Sequence, residues 1–194
     1  MSGFPTASFP NDLPPAMQYQ DLVGWNFDPT AASATFLLNS AARLFLMRIP
    51  IVVATTVTNV IVRLVTNGAT LANSFVALYE SSGILIGQSA DQSASWDLAG
   101  NEGVLAIPLV GGPYAVSPLA LNDFVWAAVY VGSASGLPFF ESAAPGGATL
   151  LNATVTSARA RSGFIAVANT SSLGTILPAN ISKNGSAMIW VGLN

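Results

Sequence analysis

The longest uncharged apolar run, Gly103 to Asn122 (GVLAIPLVGGPYAVSPLALN), carries Pro108, Pro113 and Pro118 together with three glycines. Proline removes a backbone donor and clashes inside a helix, and a membrane-spanning helix needs about 20 predominantly apolar residues without such breaks. The run therefore reads as short strands and turns. No span of the chain is expected to cross a membrane.

The same punctuation recurs from about Thr35 onward, where runs of Val, Ile, Leu, Phe, Thr and Tyr alternate with turn residues. RLFLMRI (Arg43 to Ile49) stops at Pro50, and VTNVIVRLV (Val57 to Val65) places Val60, Val62 and Leu64 on one face. A turn at Asn67-Gly68 leads to SFVALYE, and Gly83 in SSG supplies the positive φ that a tight reversal into ILIGQ requires. After the loop from Ser89 to Glu102 come VLAIPL, YAV and DFVWAAVYV. The last is apolar on both faces and reads as a central strand. GSASGLPFFESAAPGGATLLN reads as a long irregular connection, and ATLLNATVT, SGFIAVA and SAMIWVG complete about nine strands. Strands of this spacing predict an all-β antiparallel sandwich of jelly-roll or Greek-key type. No amphipathic helix stands out.

The first 34 residues differ from the rest. They hold Pro5, Pro10, Pro14, Pro15 and Pro29 with Phe4, Phe9, Trp25 and Phe27. Prolines favour extended geometry, and four large aromatics suit a docking surface better than a loose tail. We expect residues 1–34 to form an extended anchoring arm and residues 35–194 to form one sandwich domain, with Phe4, Phe9, Trp25 and Phe27 as candidate docking residues.

Charge restricts the partners. Six basic and nine acidic side chains serve 194 residues, where roughly a quarter of an ordinary globular chain is charged. With 52% hydrophobic residues, the chain has more apolar area than one small domain hides, which points to subunit interfaces. A net charge of −3 and a single lysine, Lys183, argue against a surface that tracks phosphates, so nucleic acid is not an expected partner. The opening MSGFPTASFPNDLPP lacks the basic and apolar regions of a secretory signal. The expected place of synthesis is a cytoplasm.

The absence of histidine and cysteine removes the usual nucleophilic triads, thiolate sites, disulfides and the commonest metal ligand. Glycine-rich phosphate loops and metalloprotease or EF-hand motifs are also absent from the sequence. Neither catalysis nor a cofactor or metal is expected. The carboxylates of Asp91, Asp97 and Glu102 share one loop, which leaves a two-carboxylate glycosidase or a calcium loop as minor alternatives to a solvated surface. Trp96 beside Asp97 either covers the end of the sandwich or stacks on a sugar. Asp91, Gln92, Trp96 and Asp97 are the candidate surface contacts. Four sequons, at Asn152, Asn169, Asn180 and Asn184, arise readily in a chain rich in Asn, Ser and Thr.

The succession RIPIVVATTVTNVIVRLVTNGATL, VALYESSGILIGQSADQSASW, VLAIPL and later SGFIAVANTSSLGTILPANI resembles the C-terminal β-sandwich module of minor tail proteins of actinobacteriophages. The likeness spans roughly residues 43–194. Its most specific part is the block carrying Tyr79, Gly83, Gly87, Ala90, Asp91, Gln92, Ser93 and Trp96. Two features depart from the pattern: LNDFVWAAVYV lacks the glycine that usually precedes the later Tyr strand, and only a short arm precedes the module. The resemblance implies a virion structural protein assembled in the host cytoplasm, a tail or fibre component for host attachment, or else a capsid decoration or head-fibre protein. It also implies fibre-type symmetry, hence a homotrimer, held to other virion proteins through the arm and able to meet a host-surface glycan.

Overall fold

The computed structural model describes residues 22–27, 32–38, 41–118, 124–143, 160–183 and 188–194. Two antiparallel sheets pack face to face. The first contains β1 (Gly24–Trp25), β2 (Ala32–Leu37), β5 (Asn59–Thr66), β8 (Gly103–Pro108), β11 (Phe139–Ala143) and β14 (Val191–Leu193). The second runs β13 (Ser182–Lys183), β12 (Ser162–Ala166), β3 (Arg43–Pro50), β10 (Phe124–Ser133), β6 (Ala72–Glu80) and β7 (Leu85–Gln88). A separate ribbon pairs β4 (Thr55–Val57) with β9 (Tyr114–Val116).

β10 is the centre of the second sheet, paired along its length with β3 on one side and β6 on the other. Strand alternation sends Val125, Ala127, Val129 and Val131 between the sheets and Phe124, Trp126, Ala128 and Tyr130 to the opposite face. Both faces are buried, as an apolar run without alternation requires. Between the sheets, these side chains meet Phe45, Met47 and Ile49 of β3, Val76 and Leu78 of β6, and Val60, Val62 and Leu64 of β5. Fully burying a side chain of this size contributes roughly 1.5–3 kcal/mol. This layer is the main source of cohesion.

The outer face of the second sheet has a smaller core, where Leu173, Ile176 and Ile181 pack with Leu44, Leu46, Phe75, Tyr79 and Trp126. Three hydrogen bonds fix the covering segment. Tyr130 donates its hydroxyl to the Ala168 carbonyl (2.8 Å), the Leu173 amide donates to Gln88 Oε1 (2.8 Å), and the Ile176 amide donates to the Gly83 carbonyl (2.9 Å).

In the first sheet β5 pairs with β8 along one edge, and with β14 and β11 in turn along the other. The chain at 188–193 wedges between strands that diverge, and Asn26 closes the gap. Its backbone amide donates to the Val191 carbonyl (3.1 Å), its Nδ2 donates to the Ile189 carbonyl (2.6 Å), and its Oδ1 accepts from the Val191 amide (2.9 Å). A buried carboxamide thus acts as a surrogate peptide group where β1 ends. Beyond it, the Trp190 amide donates to the Glu141 carbonyl and the Ala143 amide to that of Met188.

Several elements depart from the sequence reading. β1 and β2 both begin before residue 35, so the described part of the stretch expected as an arm is built into the sheet. β11 lies inside the connection expected to be irregular, and the loop from Ser89 to Glu102 holds a short helix, α1 (Ser93–Asp97). The expected strand ATLLNATVT lies outside the described residues.

Candidate functional site

The segment Ser89 to Asp97 was the strongest candidate, and its placement follows from how β7 ends. β7 pairs with β6 only as far as Gln88 opposite Ala77, which leaves the earlier amides on this edge of β6, the one away from β10, without a strand partner. Side-chain oxygens take over. The Val76 amide donates to Ser89 Oγ (3.2 Å), and the Ser74 amide donates to Asp91 Oδ1 (2.9 Å). Just upstream of β6, the Leu71 amide donates to Asp97 Oδ2 (2.9 Å). In return, the Gln92 amide donates to the Ser74 carbonyl (2.7 Å). Buried backbone donors must be satisfied, and this block satisfies them without a strand.

Asp91 also accepts from the Ser93 amide (2.9 Å) and hydroxyl (2.6 Å). Burial pushes its carboxyl up, but the Ser93 hydroxyl and the amides of Ser74 and Ser93 pull it further down, so it sits below the ordinary value. Gln92 lies half-buried, with Nε2 donating to the Ala90 carbonyl (2.9 Å) and its own carbonyl accepting from the Trp96 amide (2.9 Å). Neither aspartate is an idle surface carboxylate. Both hold backbone.

Trp96 is not a surface contact. It is fully buried, edge-on to Phe140 with centroids 5.2 Å apart, and so joins α1 to β11 in the core between the sheets. Of the two roles open in the sequence, it takes the structural one, because a short helix of five residues turns its ring inward. Its carbonyl accepts from the Gly68 amide (2.9 Å) and from Asn67 Nδ2 (3.2 Å), which also donates to the Leu98 carbonyl (2.5 Å). The sequence marks Asn67 only as a turn residue. That it clamps α1 depends on a contact 29 positions away, which no local pattern reports.

The glycines of the same block are required by close approach. Gly83 has φ of +93° and lies against the Ile176 carbonyl, and a side chain at Gly87 would meet the Tyr114 ring at 2.6 Å. Tyr79 is buried on the outer face of the second sheet, and that burial holds its hydroxyl well above the usual tyrosine range.

Among the candidate docking residues, Trp25 lies half-buried in β1 opposite Gly192, and Phe27 packs against the core between the sheets. Phe4 and Phe9 lie outside the described residues. Of the sequons, Asn169 accepts a hydrogen bond from Asn73 (2.7 Å) and Asn180 closes a 3-10 turn; Asn152 and Asn184 lie outside the described residues. An ion pair joins Arg63 to Glu141 across β5 and β11 (3.1 Å). The structure thus brings Asp91, Gln92, Trp96 and Asp97 together as a buttress for the start of β6. It does not join them to Trp25 or Phe27. Searches of protein-family models and of curated proteins returned no match to this chain.

Proposed function

We propose that this chain is a structural protein of a bacteriophage virion, a minor tail or fibre component that contributes to host attachment. In this reading the packed sheets are a sandwich of jelly-roll or Greek-key type, copies associate as a homotrimer, and the Pro-rich N-terminal segment anchors them to neighbouring virion proteins. The chain catalyses no reaction and uses no cofactor. Host-surface glycan is the ligand class, met through shape, stacking and neutral hydrogen bonds.

The observation that carries the reading is the use made of the LYESSGILIGQSADQSASW block. Its aspartates serve backbone amides, its tryptophan lies in the core, and its glycines permit close packing. The residues that resemble the tail module are scaffold residues, as expected of a module whose shared feature is its fold. A histidine-free chain whose two loop aspartates, Asp91 and Asp97, are engaged in this way has little means of general acid or base work near neutral pH.

Labelled antibody against the chain, applied to purified phage particles, tests the assignment. Label on the tail supports it, label on the capsid supports a decoration or head-fibre protein instead, and particles without label reject both.

A further inference from the structure

Strand register shows where the exposed apolar side chains gather. Pro50, ending β3, faces Phe124 at the start of β10, and Glu80, ending β6, faces Val125. The loops 51–54 and 81–84 therefore leave the second sheet at one end. In the first sheet Asn59 faces Pro108, so the 109–113 turn leaves where β5 begins. Gly24 of β1 lies 3.0 Å, measured from an ideal Cβ, from Ile49 Cγ2, which puts these ends of the two sheets together. Leu177 follows Ile176, whose amide bonds to Gly83 in the 81–84 turn.

This end carries Val52 (76% exposed), Val53 (69%), Ile84 (51%), Val110 (63%) and Leu177 (65%), five of the eight large apolar side chains exposed among the described residues. The loops 51–54, 81–84, 109–113 and 175–178 contain no Asp, Glu, Lys or Arg. Glu80, at the base of one turn, accepts from the Ser82 hydroxyl (3.0 Å). Asp91, Asp97 and Glu102 belong to the opposite end, where β6 and β8 begin. The uncharged loops thus make one end apolar, with Glu80 and Arg48 at its base, while Asp91, Asp97 and Glu102 lie at the other.

We infer that the apolar end is a self-association face, and that the same ends of the other copies of this chain cover it, gathered about the three-fold axis of the trimer. The inference rests on the self-assembling reading above and assigns the surface that does it. A neutral face gains nothing from a strongly charged partner, whereas an identical face matches it. Meeting through these ends also keeps the acidic ends apart. A strand of ten residues spans about 33 Å, several times the Debye length of about 8 Å at physiological ionic strength.

The chain outside the described residues points the same way. Residues 1–21 join the sandwich at Leu22, next to β1 and hence at this end. They include Phe4, Phe9 and Leu13, two acidic residues, Asp12 and Asp21, and no basic residue. At about 3.3 Å per extended residue, such a segment reaches on the order of 70 Å, enough to span the sister end.

The test uses the full chain, which has no native cysteine. Val53→Cys should cross-link between copies with a short bismaleimide, while Leu98→Cys, at an exposed site on the acidic end, should not. Val53→Asp should raise the concentration for half-association at least roughly tenfold by sedimentation, while Leu98→Asp leaves it unchanged. Both sites are exposed, so both variants should keep the parent's folded circular-dichroism spectrum, while weaker association by itself lowers the melting temperature of Val53→Asp; should that variant lose the folded spectrum, the cross-linking decides. Equal cross-linking at both sites, or association untouched by Val53→Asp in a folded chain, overturns the inference. A monomer that still labels particles overturns it and leaves the virion reading standing; an oligomer absent from particles does the reverse.

Discussion

Asp97 stands at the end of a five-residue helix, yet its partner is the Leu71 amide, one residue before β6. Removing the carboxylate leaves a part-buried donor without an acceptor, which costs about 1–3 kcal/mol. Asp97→Ala should therefore lower stability to urea by about that amount, with an unchanged denaturant slope; a loss within error would mean that water replaces the carboxylate. Asp91 gives a different signature. Its folded pKa lies below the ordinary carboxylate value because of the Ser93 hydroxyl and the amides of Ser74 and Ser93, which outweigh burial. A depressed carboxyl contributes stability that is fully present above the unfolded pKa, about 3.9, and is lost as pH falls through the folded value. Asp91→Asn should flatten the fall in stability below about pH 4 and leave the curve's shape above it unchanged. Identical acid limbs in parent and variant would remove Asp91 from the account.

β1 is only two residues long, but Asn26 extends its reach by supplying a donor to the Ile189 carbonyl and an acceptor to the Val191 amide at the start of β14. A chain beginning at Thr30 loses that pairing together with the packing of Val23 and Phe27, whereas one beginning at Leu22 keeps both. The shorter chain should melt at least about 5 °C below the longer one, since each 1 kcal/mol moves a melting temperature by roughly 2–4 °C at this size. Equal melting temperatures would make β1 dispensable. The contrast between β1 and β10 also explains what was legible beforehand. β10 announces itself because both its faces are apolar, and Val60, Val62 and Leu64 because they alternate with Asn59 and Arg63, Ile61 being the one exception. Gly83 was readable as a turn because positive φ demands it. β1, β2 and β11 were not readable as strands, since ASATFL and FFESA are short, rich in Ser and Ala, and stabilised by partners more than 70 residues away. The roles of Asp91 and Asp97 were hidden for the same reason: a loop carboxylate looks solvated until the strand it serves is in place.

At the level of the whole molecule, two sheets bury one core between them and a second core outside, and still leave an apolar end. Scarcity of charge, which at first only argued for interfaces, acquires a location there. Five exposed aliphatic side chains gather on loops without a charged residue, while the acidic residues of the 91–102 segment lie opposite. Exposed apolar surface of this kind marks an interaction site, and the self-association proposed above would cover it. Mass measured by light scattering on the purified full chain at micromolar concentration tests this most directly. The account predicts a multiple of 19.9 kDa, three-fold for fibre symmetry, and a mass of 19.9 kDa itself would contradict it.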